Sequence, residues 1–198
     1  MHPTSTPLAR AQEFASSLGI RLPILLAPMA GACPPSLSIA VANAGGVGAC
    51  GAVLMRPAEI TSWCDEFRQH SQGGFQINLW IPAWEIRRNP ELEQRQRTFL
   101  AHWGPAVDSS AGDSVLPDFE AQFRAIIDAQ PEVISSIMGV YSDRHVTEIK
   151  ARGILWFATA TTSQKQERPR TPVQTPSSPK RWRPAGIAAP SMPARRSG

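Results

Sequence analysis

Over the first 162 positions, short continuous apolar runs alternate with longer stretches of helical spacing, and turn-forming residues fall between them. Residues 7–18 (PLARAQEFASSL) predict a lead-in helix closed by Gly19. Pro23–Pro28 (PILLAP) is a proline-bounded apolar run, the pattern of a short strand buried on both faces. Ser36–Ala44 predicts an apolar-rich helix, with Ser36 as its N-cap and Gly45-Gly46 as its stop. Gly46–Leu54 (GVGACGAVL) reads as a second strand whose small residues mark a close approach of backbone or ligand. Pro57–His70 is a helix with proline in its first turn, and Phe75–Ile81 a third strand. A less regular part follows, helical over Pro90–His102 and loop over Gly104–Pro117. Asp118–Gln130 is an amphipathic helix, Val133–Met138 a fourth strand, Ser142–Arg152 a helix stopped by Gly153, and Ile154–Thr161 a fifth strand.

Strand, helix, strand at this spacing implies parallel pairing through right-handed crossovers. Five βα units in unbroken series suit an arc of a barrel better than an open sheet, whereas a closed barrel takes eight units and about 250 residues. The expected fold class is therefore α/β, a partial (β/α)8 barrel with about five of eight units in residues 1–162. Such a piece exposes two sheet edges and part of the barrel interior, which favours aggregation over stable folding.

The pattern stops at Thr162. From Gln164 to Gly198 the chain has 7 of its 19 prolines, no Leu or Phe, and 8 of its 20 Lys and Arg against the single acid Glu167. The body before it carries a slight negative excess, so the net charge of +4 comes from the tail. Residues 163–198 are expected to be a disordered Pro/Arg-rich tail, and nucleic-acid binding by the folded part is not expected. The longest apolar runs, such as Leu22–Ala30, fall far short of the roughly 20 residues of a membrane helix. With no signal-peptide pattern at the start, and with Cys33, Cys50 and Cys64 showing no C-x-x-C spacing, the expectation is a cytoplasmic protein with reduced thiols.

Candidate chemistry concentrates at predicted strand ends. Ala27, Pro28, Met29, Ala30 and Gly31 follow the first strand, at the rim where βα barrels place their active sites. Small residues there admit a flat ligand and a methionine can lie against its face, although an ordinary tight βα loop has the same composition. Asn78 interrupts an apolar strand, so its amide needs a partner: a ligand ring edge or a backbone carbonyl of a neighbouring loop. The glycines of Ala44–Gly48 end a helix rather than open one, which excludes a dinucleotide fingerprint. His70, His102 and His145 fall on polar helical faces with no second metal ligand, and are expected at the surface. Ser135-Ser136 has neither a base nor an elbow context, so no nucleophile is assigned.

The block PILLAPMAGACPPSLSIAVANAGGVGACGAVL, then QINLWIP, then VISSIMGVYSDRHVTEIKARGILWFATATT together resemble the nitronate monooxygenase family over residues 20–162. The resemblance implies an FMN-dependent (β/α)8 TIM barrel and an oxidoreductase. By position, Ala27, Pro28, Met29, Ala30 and Gly31 would line the flavin, and Asn78 matches the family's FMN-contacting asparagine. It implies nitronates or nitroalkanes and dioxygen as small-molecule partners, with a histidine of a G-G-H-x-G segment removing the substrate proton. These 198 residues contain no such segment and no match to the phosphate loops of the later strands, so the resemblance implies an inactive chain. Related FMN barrels reduce enoyl thioesters, and a non-enzymatic fragment with a basic interaction tail is a third reading.

Read one base out of frame, the tail regains meaning. Pro172–Lys180 then permits A-G-A-D-A-V-I-A-Q, resembling the family's sixth strand. Arg183–Gly198 permits a sequence containing G-G-H-R-G, the missing histidine motif. A one-base slip near Ser163 is therefore the expected origin of the tail, with a genuine basic tail as the alternative.

Overall fold

The computed structural model describes residues 6–81, 88–113 and 115–159. The tail, residues 160–161 of the fifth predicted strand, and the segment 82–87 lie outside the described residues. Four parallel strands, β1 (Gly48–Gly51), β2 (Phe75–Trp80), β3 (Val133–Ile137) and β4 (Leu155–Ala158), form a sheet in sequence order. An open doubly wound sheet reverses its order at a switch point, whereas a barrel arc does not, and no reversal occurs here.

The first predicted strand is the weakest. It contributes one parallel bridge, Leu25 to Val47, with Leu26 N–H donating to the Val47 carbonyl and Val47 N–H to the Ile24 carbonyl, both at 2.9 Å. Pro23 and Pro28 supply no N–H to the ladder, which confines the strand to the residues between them. The expectation of burial on both faces fails: Ile24 is 54 % exposed, because among the described residues no strand pairs with its outer edge.

The helices are α1 (Pro7–Ser17), α2 (Pro35–Asn43), α3 (Pro57–His70), α4 (Pro90–Leu100), α5 (Phe119–Ala129) and α6 (Asp143–Ala151). Ser36 is not the N-cap of α2. Pro34 takes that place with Pro35 in the first turn, both suited by their fixed φ, and Ser36 falls inside the helix. Asp118 caps α5 by accepting from Ala121 N–H at 2.6 Å, and Asn89 caps α4 by accepting from Leu92 N–H at 3.1 Å.

The core lies between the sheet's outer face and α2, α3 and α5. Phe67, Ile60, Ile77, Leu79, Phe123, Ile126, Ile127 and Ile134 are fully buried there. Trp63, Phe67 and Phe75 form a cluster with ring centroids 4.8–5.6 Å apart, and Arg68 covers Phe75 at 5.3 Å while donating to the Ala129 carbonyl. Each such ring contributes about 1.5–3 kcal/mol through burial. Gln122 ties α5 to the end of β1, donating to the carbonyls of Ala52 (2.9 Å) and Met55 (2.7 Å).

His70 and His102 are exposed, as expected, but His145 is not at the surface: it is 6 % exposed. Its ring stands edge-on to Phe119, Phe123 and Tyr141 at 4.4–5.8 Å. Glu120 can only accept, so in the neutral ring Nε2–H donates to it (3.0 Å) and the Ser142 hydroxyl donates to Nδ1 (2.7 Å). Of the polar residues that α6 shows in sequence, His145 alone is thus a buried contact with α5. Beside it the Tyr141 hydroxyl is buried without a hydrogen-bond partner among the described residues. Leaving a buried hydroxyl unpaired costs about 1–3 kcal/mol, so Tyr141→Phe is expected to raise thermal stability or leave it unchanged. A calorimetric scan showing a clear loss would place a partner on that oxygen.

Cys33, Cys50 and Cys64 are all free and buried. Burial first, then the neighbouring thiols, pushes Cys50 from 9.0 up to about 12. Burial likewise lifts Cys64 to about 12, against the opposing pull of Arg68. Folding therefore favours the thiols: this contribution is constant below about pH 9 and is lost as pH climbs from there toward 12. Iodoacetamide at pH 8 is expected to leave Cys50 and Cys64 of the native chain unlabelled and to modify both in urea, as read by peptide mass.

Candidate functional site

Register fixes which side chains share the sheet's inner face. Gly51, Asn78, Ser135 and Phe157 are paired across the four strands, forming one row. The row nearer the strand starts is Ala49, Gln76, Val133 and Leu155; the row nearer the strand ends includes Trp80 and Ile137. Inward-facing side chains of the strands fill the interior of βα barrels. Here burial fades along the strands: Ala49 and Val133 are fully buried and Gln76 is 5 % exposed, while Trp80 is 51 % exposed. The inner face closes at its base and opens at the C-terminal rim.

The five residues after the first strand sit on that rim. Ala27, Met29, Ala30 and Gly31 are exposed and Pro28 is half-buried. A tight turn forms them, with the Ala32 and Cys33 N–H groups donating to the Met29 carbonyl at 3.1 Å and Gly31 at φ +73°. The turn is fixed at its far end, where the Trp63 indole N–H donates to the Cys33 carbonyl at 3.2 Å. At its near end Gln76 donates to the Leu26 carbonyl at 2.7 Å.

Gly51 brings this loop to the second candidate. A Cβ there would stand 2.5 Å from Ala30 N and 2.9 Å from Met29 C, so only glycine lets the loop cross the end of β1. Gly51 is the register partner of Asn78. The structure therefore brings the loop and Asn78 side by side, two groups that lie 47 positions apart in the chain.

Asn78 is half-buried, and its partner is neither of the two expected from sequence: its amide donates to the Ser135 hydroxyl at 3.0 Å. Strand pairing puts that serine directly beside it. Its carboxamide oxygen makes no hydrogen bond among the described residues. Sequence reasoning missed Ser135 as a positioning group, and also Trp80 and Met138. Met138, at the end of β3, has φ +71°, a backbone state uncommon outside glycine, and is 43 % exposed. Together with Met29 at 41 % it makes the rim apolar around a polar Asn78–Ser135 floor. No group of three or more His, Cys, Asp or Glu able to hold a metal occurs among the described residues. The groove between α4 and residues 106–109 shares no residue with this rim.

Fold and rim define a βα-barrel segment open at the C-terminal end of its strands, the end at which βα barrels carry their active sites. Residues 12–168 match the nitronate monooxygenase family model, and the chain belongs to that family. It is 33 % identical over 157 residues to a nitronate monooxygenase of Paraburkholderia phytofirmans, covering 75 % of this chain and 42 % of the relative. A probable nitronate monooxygenase of Staphylococcus aureus is 27 % identical over 148 residues, covering 73 % and 41 %. Among solved structures, a nitroalkane oxidase from Streptomyces ansochromogenes superposes with a TM-score of 0.64 at 27 % identity, over 76 % of this chain and 44 % of that one. FabK from Thermotoga maritima, at 21 % identity and TM-score 0.51, is similar in fold. The chain spans about two fifths of the length of the relatives it matches. The family is one of oxidoreductases and of flavoproteins.

Proposed function

We propose that this chain carries the ring-binding part of an FMN-dependent nitronate monooxygenase and, tested as these 198 residues, does not turn over. The observation that carries the reading is the cradle at Gly51, where a backbone loop crosses a strand end beside a half-buried asparagine whose amide donates to Ser135. Such a flat edge with few polar groups suits a planar ring. Ala27, Pro28, Met29, Ala30 and Gly31 would hold one side of the flavin, and Asn78, oriented by Ser135, would offer its carboxamide oxygen to a ring N–H. Bound FMN supplies an electron acceptor for nitronate and a donor for dioxygen.

The rim residues would bind and orient; among the described residues none is placed to take a proton from a nitroalkane. His70 and His102 are exposed on helices, and His145 is engaged by Ser142 and Glu120. These 198 residues hold no G-G-H-x-G segment, which by resemblance carries the base for neutral nitroalkanes. A one-base slip near Ser163 accounts for this, and the family match ending at residue 168, a few positions beyond Ser163, supports it. The gene's nucleotide sequence tests it: a second frame encoding later barrel strands is expected, and its absence would refute the slip. For the activity, an oxygen electrode with chain, FMN and neutral nitropropane, the substrate that needs the missing base, is expected to read no uptake above the protein-free rate. The enoyl-thioester reductase reading rests on fold alone, because the FabK likeness is below 25 % identity.

A further inference from the structure

Trp80 is the largest side chain on the open part of the inner face, and its exposure needs a reason. It is the last residue of β2, two positions beyond Asn78 on the same face, paired with Ile137 of β3. Same-face neighbours on one strand stand about 7 Å apart, so the indole rises one step above the Asn78–Ser135 floor, on its rim side. Its exposure of 51 % contrasts with the 1 % of Leu79 beside it, whose side chain enters the core. Half of a tryptophan left in water forgoes roughly 100 Å² of apolar burial, an arrangement that a ligand covering the ring would offset.

We propose that Trp80 is the aromatic wall of this site and contacts a planar heteroaromatic ring, the isoalloxazine of a flavin, directly. The inference rests on the flavin reading above and deepens it. The ring's polar edge would meet Asn78 while its apolar surface lies against the indole, with Met29 and Met138 exposed on the same rim. Contacts between a heteroaromatic ring and an aromatic side chain tolerate substitution by another aromatic and fail on truncation. Trp80 therefore differs from Asn78: it recognises shape and not hydrogen bonding.

Riboflavin is the probe, since it has the ring without a phosphate. Equilibrium dialysis reads binding, and indole emission reads contact. The expected result is that riboflavin quenches part of the full chain's tryptophan emission, and that Trp80→Phe loses that quenched share while binding within about threefold of the parent. Trp80→Ala is expected to bind roughly tenfold more weakly, with unchanged far-ultraviolet circular dichroism because the side chain is half exposed. Binding by dialysis with the same quenched share in Trp80→Phe would overturn the Trp80 contact and leave the flavin reading standing. No riboflavin binding by the parent chain would overturn both.

Discussion

Replacing Gly51 by alanine is expected to destabilise the chain by about 1–3 kcal/mol and to abolish riboflavin binding at the rim. The methyl group would enter the backbone of Met29 and Ala30 at 2.5–3.0 Å, and backbone cannot yield as a side-chain end can. The loop has little freedom to retreat, because the Trp63 indole holds the Cys33 carbonyl and Gln76 holds the Leu26 carbonyl. Relief therefore comes through β1, whose neighbours Ala49 and Cys50 are buried. Urea unfolding and riboflavin dialysis check the two effects. Wild-type stability with unchanged affinity would show that the loop does not cross Gly51 as described.

The second large effect is at His145. Its replacement by alanine is expected to cost about 2–4 kcal/mol, through the cavity among Phe119, Phe123 and Tyr141 and the loss of both hydrogen bonds. Ser142 opens α6 and Glu120 lies in the first turn of α5, so the ring joins two helix starts on the outer layer. Single replacements Ser142→Ala and Glu120→Gln each remove one bond and are expected to cost about 1 kcal/mol, since the histidine keeps its packing. Denaturant midpoints rank the three. An alanine at 145 within 0.5 kcal/mol of wild type (about the usual surface effect) would contradict the buried position.

The order of elements was legible because local pattern governs it. The amphipathic spacing of Asp118–Gln130 announces its helix, and the apolar run of Phe75–Ile81 cannot be mistaken for a surface segment. The small residues of Gly46–Leu54 correctly marked a close approach, at Gly51. What failed depends on neighbours distant in sequence. His145 looks polar on its own helix, and only the packing of α5 against α6 buries it; the spacing of Ser142 to His145 was the one local signal. Asn78 finds Ser135 through strand register, 57 positions away, which no single-strand pattern reveals. Ile24 was expected inside because an apolar run does not say whether a strand exists to cover it. Trp80 reads as one more apolar residue until register assigns its face.

The central claim is that the rim recognises a flavin ring while these 198 residues carry no match to the phosphate loops of the later strands. A side-by-side titration of the purified chain with FMN and riboflavin tests it most directly. A phosphate dianion held by backbone N–H groups at a helix start would favour FMN strongly. The account predicts a colourless chain as isolated, with FMN and riboflavin dissociation constants within about threefold of each other. A yellow chain that keeps FMN through gel filtration, or an FMN affinity about a hundredfold above that for riboflavin, would contradict it.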